Sequence, residues 1–283
     1  MDKINKYKDM MSKLNKNYYS QHGEDSLLLN IFKNKTEGFF VEVGCVDGKR
    51  FSNTLYLENI GWNGLCIEPQ KEYINYLKIN RPDSKIIHCA VGSENKKKIE
   101  FYADKRGSLS SLDKSREQNL KRDYKTFTGY TRQDVEMKTL NKIFEQNNVK
   151  NIDVISIDIE GAEIQALEGL DIPKYNPKVF ILEFSSITQF IKLLYVMVTE
   201  GYHLGCIVGT NLFFFSDKKM AKEIRGMMYT VTLVRTANPF FEEKDKAEKV
   251  TVDTNLKPQF TTLLKMSLMP LVHKIRYIFK VYD

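Results

Sequence analysis

Short apolar runs alternate with amphipathic stretches along most of this chain, and the alternation predicts its architecture. The runs are Phe39 to Val43, Leu65 to Glu68, Lys85 to Val91, Ile152 to Asp158 and Val179 to Phe184. They are dense in Val, Ile, Phe and Cys without in-out alternation, as strands buried on both faces of a parallel sheet require. Helix candidates with recognisable ends lie between them. Ser52 precedes an amphipathic stretch that Gly61 stops, Pro69 opens QKEYINYLKIN, and Thr139 opens a run to Asn148. Within Glu160 to Gly169 and just beyond, Ile164, Leu167 and Leu170 recur at helical spacing. Strand, helix, strand repeated four or five times predicts a doubly wound α/β fold, whose ligands bind at the carboxyl ends of the strands. Near the end, Tyr202 to Val208 and Asn211 to Ser216 flank Gly209 and Thr210, which predicts an antiparallel hairpin.

Three pieces stand outside that alternation. Residues 1–17 carry Ile4, Tyr7, Met11 and Leu14 at helical spacing, so 1–35 reads as an N-terminal helical segment leading into a domain over 36–235. Residues 103–134 are polar, Ser-rich and basic, and read as an insertion or lid loop. Residues 236–283 read as an extension ending in a helix. After Pro270, Leu271, Ile275, Ile278 and Tyr282 share one face, and Lys274, Arg276 and Lys280 add positive charge. Such a face predicts docking on the domain or on a second subunit, as in a homo-oligomer, or peripheral contact with an anionic bilayer at the inner membrane face.

Composition narrows the class. With 42% hydrophobic and 28% charged residues in 283, the chain is globular and can bury a core. A net charge of +7 suggests an anionic partner or only a compositional bias, because just nine of the 43 basic residues are Arg. Cys45, Cys66, Cys89 and Cys206 form no Cys-x-x-Cys pair and read as reduced thiols. With no signal-peptide pattern and no long apolar span, the sequence predicts a soluble, cytoplasmic chain.

The candidate chemistry gathers at strand ends. The first strand runs into Glu42-Val43-Gly44-Cys45-Val46-Asp47-Gly48, where glycines four apart let backbone approach a ligand. This is not G-x-G-x-x-G, and its two acids would repel a pyrophosphate. The second strand ends in Glu68, an acid suited to accept hydrogen bonds from a ribose diol, and the fourth ends in Asp158 and Glu160. Acids clustered on one edge of a basic chain favour a ligand with positive charge and hydroxyls. S-adenosylmethionine, with a sulfonium, an ammonium, a ribose diol and no phosphate, suits this edge better than NAD or ATP.

These motifs, taken in order, resemble the FkbM family of S-adenosylmethionine-dependent methyltransferases: Tyr19 to Asp25 (YSQHGED), FFVEVGCVDGKRFSNT, GWNGLCIEP, CAVG and IDVISIDIEGAE. The resemblance runs from about Tyr19 to Phe215. It implies a Rossmann-like methyltransferase fold, with a mostly parallel seven-stranded sheet and an antiparallel last strand. By position it implies that Gly44 and Gly48 shape the cofactor loop, Glu68 holds the ribose and Ala90 flanks the adenine. Ser20 and Asn53 would meet the methionine carboxylate, and Glu42 and Asp47 belong to the same acidic edge. An ordinary turn is the bland alternative for each glycine, and a helix-start acid for Glu68.

The implied reaction is O-methylation of a carbohydrate: a polysaccharide, a glycolipid or a nucleotide-sugar precursor. A lipid, peptide or small natural product as acceptor, and a non-catalytic binding module on the same fold, remain open. Candidate bases for the acceptor proton are Asp158, Glu160, Glu183, His88 and His203, with structural roles open for both histidines. A divalent cation such as Mg²⁺ held by Asp158 and Glu160 is a further option. The basic residues Lys105, Arg106, Arg116, Lys121, Arg122 and Lys125 of the long loop point to an anionic acceptor. Nucleic acid is disfavoured, since no stacking motif accompanies the lysines.

Overall fold

The computed structural model describes residues 18–227 apart from 34, 106, 108, 124 and 126. The amphipathic pattern of residues 1–17 and the whole 236–283 extension, its terminal helix included, therefore lie outside the described residues. Helix α1 (Glu24–Phe32) precedes β1 (Phe39–Val43), α2 (Leu55–Asn59), β2 (Asn63–Ile67), α3 (Ile74–Asn80) and β3 (Ser84–Ile87). Next come β4 (Ala90–Val91), β5 (Lys96–Ala103), α4 (Arg116–Asp123), β6 (Thr131–Lys138), α5 (Leu140–Gln146) and β7 (Val154–Ile157). The rest is α6 (Glu163–Glu168), α7 (Ile172–Tyr175), β8 (Val179–Glu183), α8 (Ile187–Thr199), β9 (His203–Val208), β10 (Asn211–Phe215) and α9 (Lys218–Met227).

Seven of the described strands form one sheet in the order β3-β2-β1-β7-β8-β10-β9, and β10 runs antiparallel to both of its neighbours. Successive side chains of the central strands feed opposite layers. Val41, Ile155 and Phe180 pack into one core, while Phe40, Val154 and Val179 pack into the other. All are essentially inaccessible to solvent, and each contributes about 1.5–3 kcal/mol by leaving water. That two-sided burial is why these strands read as unbroken apolar runs. Thr139 caps α5 by accepting the Lys142 amide at 3.1 Å, as its sequence position predicts.

Two expectations need correction. The run Lys85 to Val91 is not one strand: β3 ends at Ile87, and Ala90–Val91 leaves to pair with β6 in a separate three-stranded sheet, β4-β6-β5. Nor is 103–134 simply a loop, because it carries α4 and the start of β6. Both β5 and β6 bury only alternate residues near one end, Phe101 and Ala103 against Val135 and Met137, among charged neighbours.

Candidate active site

Register builds the site. Val43 pairs with both Ile67 and Ile157, and Ile157 pairs with Leu182. The residues that follow, Gly44, Glu68, Asp158 and Glu183, therefore emerge on one edge. There the strand order reverses, β2 and β3 lying to one side of β1 and β7 and β8 to the other, and the connections diverge to leave a crevice. A cavity of about 430 Å³ occupies it, within the usual range for small-ligand sites.

The floor of the cavity is the loop after β1. Gly44 has φ +87° and donates its amide to the Ile67 carbonyl at 2.9 Å; a side chain there would overlap the Asp158 carbonyl oxygen. Gly44→Ala is accordingly expected to cost at least about 1–2 kcal/mol from left-handed backbone alone. It should also weaken S-adenosylhomocysteine binding tenfold or more; calorimetry and a thermal melt check both. Val46, a β-branched residue at φ +51°, is held in that conformation by donating its amide to Glu68 Oε2 at 2.8 Å. Glu68 Oε1 accepts the Gln70 amide, also at 2.8 Å. Burial raises the Glu68 pKa to about 7, the two amides pull it down, and the Asp47 charge pushes it further up.

Beneath the loop lies a buried ionic network. Arg81, from the end of α3, pairs with Glu42 at 2.7 Å and Glu58 at 2.6 Å. Glu42 also accepts from Ser52 Oγ, the Asn53 amide and Thr54 Oγ1. The network thus fastens residues 52–54 to the sheet. Glu42, Cys45 and Cys66 are grouped closely enough to ligate a metal. However, Glu42 is already neutralised by Arg81, and burial pushes the Cys45 thiol well up, so the group reads as structural.

At the β7–β8 side, oxygens of Asp158, Glu160 and Glu183 lie within 4.8 Å of one another, close enough to share a proton or to hold a hard divalent cation. Arg116 from α4 donates to Glu160 Oε2 at 2.6 Å. Burial raises Asp158 well above the carboxylate range, and the neighbouring Glu183 and Glu160 charges add to it. Glu160 rises to about 7 through burial and the Glu183 charge, with Arg116 opposing. Behind them Glu163 accepts the Ile159 and Gly161 amides and a bond from Gln189, and burial raises it to about 7.

Of the sequence candidates, Glu42, Gly44, Glu68, Ala90, Asp158, Glu160 and Glu183 line the cavity. The others do not. Ser20 donates to Asp25 Oδ1 and accepts the Gly23 amide, fastening the start of α1. Asp47 bonds the Lys49 and Arg50 amides and the Arg50 side chain, and Gly48 leaves room for Arg81 and Leu77. Asn53 donates to Ser156 Oγ. His88 is exposed and bonds the Pro69 carbonyl, while His203, on β9, stands outside the cavity lining.

Gln21, His22, Ser110 and Thr210 line the cavity without having been assigned a role from sequence. The signal for His22 was present in Gly209, at φ +57°, where any side chain would overlap the imidazole. Three of the basic residues credited to an anionic acceptor already have carboxylate partners, Arg116 with Glu160, Lys121 with Glu117 and Arg122 with Asp123.

Two similar solved structures are a precorrin-6y C5,15-methyltransferase from Geobacter metallireducens and a TehB-like SAM-dependent methyltransferase from Corynebacterium glutamicum. The first is 7% identical over 67% of this chain and 84% of that one, with a TM-score of 0.38. The second is 12% identical over 76% and 96%, with a TM-score of 0.36. No curated protein matches the chain. The family model of the methyltransferase FkbM domain matches residues 42–230, from the acid of β1 to beyond α9. This chain therefore belongs to the FkbM methyltransferase family and is an S-adenosylmethionine-dependent methyltransferase.

Proposed function

We propose that the protein transfers a methyl group from S-adenosylmethionine to a hydroxyl of a carbohydrate, in a polysaccharide, a glycolipid or a sugar precursor. The observation that carries the transfer to oxygen is the carboxylate group Asp158, Glu160 and Glu183 lining the same cavity as Glu68. The lining fits the cofactor. Cys89, Ala90, Val91, Phe101, Leu109 and Leu112 offer an apolar wall for a flat base, and Glu68 offers acceptors for a ribose diol. Glu68 and Asp158 stand on strands two apart in the sheet, about 10 Å, and Glu183 one strand further. The bound cofactor supplies a methyl group on a sulfonium, a leaving group that needs no acid. The protein's own work is then orientation and removal of the hydroxyl proton, and we assign the latter to Asp158.

The sugar acceptor is supported by the family resemblance. With three loop cations already paired, a neutral glycan suits the site better than a phosphorylated one. Labelled cofactor incubated with nucleotide sugars, oligosaccharides, lipids and RNA tests it. Label in lipid or RNA alone overturns the sugar reading, and tight cofactor binding with no transfer to anything favours a binding module.

Calorimetry with S-adenosylhomocysteine tests the cofactor directly, and no binding at millimolar ligand would sink it. Glu68→Ala should weaken binding by about 1–3 kcal/mol, the value of a hydrogen bond to a charged group with its desolvation. Since a ribose diol donates to the ionised carboxylate, affinity should decline as pH falls below about 7, by up to about tenfold per unit, and Glu68→Gln should flatten that dependence.

A further inference from the structure

Beside the cofactor cavity lies a second groove, of about 450 Å³. One wall is the turn and helix around Tyr73 and Tyr76, and the other is the small sheet, through Ala103, Thr131 and Gln133. The small sheet thus has two roles in the fold: Ala90, Val91 and Phe101 line the cofactor cavity, and Ala103, Thr131 and Gln133 wall the groove.

Its chemistry is specific. Tyr76 is 58% exposed, and its ring stands 6.4 Å from that of Tyr73 at 50°, so two aromatic faces meet along one wall. Tyr73 is largely buried and backs the wall, and Tyr76 presents its exposed ring to the groove. The polar groups around them are held in place by one another. Gln133 donates to Glu72 at 2.8 Å, and Arg50 donates to Asp47 at 2.6 Å while its guanidinium stands 6.0 Å from the Tyr73 ring. Lys105 completes the set, giving two cations and two anions. Phosphates would meet two carboxylates, and a basic peptide would meet two cations. A neutral ligand with one apolar C–H face and many hydroxyls suits both the aromatic wall and the mixed donors and acceptors.

The groove is continuous in material with the cofactor cavity. Arg50 lines both, and Tyr73 donates its hydroxyl to the Lys105 carbonyl at 2.9 Å beside Gly107, which lines the cavity. We propose that this groove is a glycan subsite, holding sugar units of a long acceptor away from the hydroxyl that is methylated. The proposal rests on the carbohydrate reading above.

The test uses the full chain and two substitutions confined to the groove, Tyr76→Ala and Gln133→Ala, with malto-, cello- and chitohexaose as probes. Binding is read by saturation-transfer NMR, and methyl transfer is compared between each hexasaccharide and its monosaccharide. Wild type should bind at least one hexasaccharide, and each variant should weaken that binding about tenfold or more. S-adenosylhomocysteine affinity and monosaccharide transfer should stay unchanged. Hexasaccharide binding that is absent in wild type, or equal in wild type and both variants, overturns the subsite. A hexasaccharide that binds through Tyr76 but is never methylated keeps the subsite and overturns the proposed reaction.

Discussion

Arg81→Met should destabilise the protein by about 3–5 kcal/mol, the cost of removing one partner from a buried charge network. The Arg81 side chain is fully buried and donates from Nε to Glu58, from Nη1 to Glu42 and Ser52, and from Nη2 to Thr54. Met can fill much of the volume against Phe40, whose ring centre lies 5.1 Å from the guanidinium carbon. What Met cannot do is neutralise two carboxylates that share the interior with it. At about 2–4 °C per kcal/mol for a domain of this size, the melting temperature should drop on the order of 10 °C. Cofactor affinity should fall as well, because Glu42 fastens Ser52, Asn53 and Thr54, and Ser52 lines the cavity. Adding Glu42→Gln and Glu58→Gln to Arg81→Met should recover part of the loss, since the stranded charges are then gone. A melt of Arg81→Met within about 1 kcal/mol of wild type would mean that water reaches this network.

Arg81 also shows where the sequence stops being informative. It follows the α3 pattern directly, where a cation normally meets the helix end in solvent, and no spacing tells that it turns under the β1 loop. Strand ends are easier to read. Gly44, Glu68 and Asp158 end or follow buried runs, so their convergence was legible before any coordinates. Glu183 reads as an acid inside an apolar run, and only the Ile157–Leu182 register brings it to the same edge. Rotation about the chain was not legible. Ser20, Asp47, Asn53 and His88 lie close to the same edge in sequence, yet each turns its side chain to a protein partner: Ser20 to Asp25, Asp47 to the Lys49 amide, Asn53 to Ser156 and His88 to the Pro69 carbonyl. The small sheet escaped for a different reason: its strands bury one face for only part of their length, and LysLysLys at 96–98 covers the alternation. Arg116 reads in the sequence as one of the loop cations pointing to an anionic acceptor, and only the packing of α4 shows that it pairs with Glu160.

That ion pair shapes the last expected result, which concerns Asp158. Carboxylates this close in a half-buried site oppose one another's ionisation. Arg116 favours charge on Glu160, while burial and the neighbouring Glu183 and Glu160 charges favour the protonated form of Asp158. If Asp158 takes the acceptor proton, Asp158→Asn should keep S-adenosylhomocysteine affinity and lower turnover by about 10²–10⁴, the usual effect of losing a general base. Turnover in wild type should rise with pH, because the base works only when ionised and burial has raised its pKa. Glu183→Gln removes a like charge from beside it, so the pKa of Asp158 falls and the acidic limb of the turnover profile moves to lower pH. Loss of cofactor affinity in Asp158→Asn would move the residue into the binding site proper. A metal version of the same site gives a different pattern, in which EDTA abolishes turnover and Mg²⁺ restores it. Full activity in EDTA, with the acidic limb shifted in Glu183→Gln, leaves proton removal by Asp158, beside the Glu183 charge, as the reading that accounts for both.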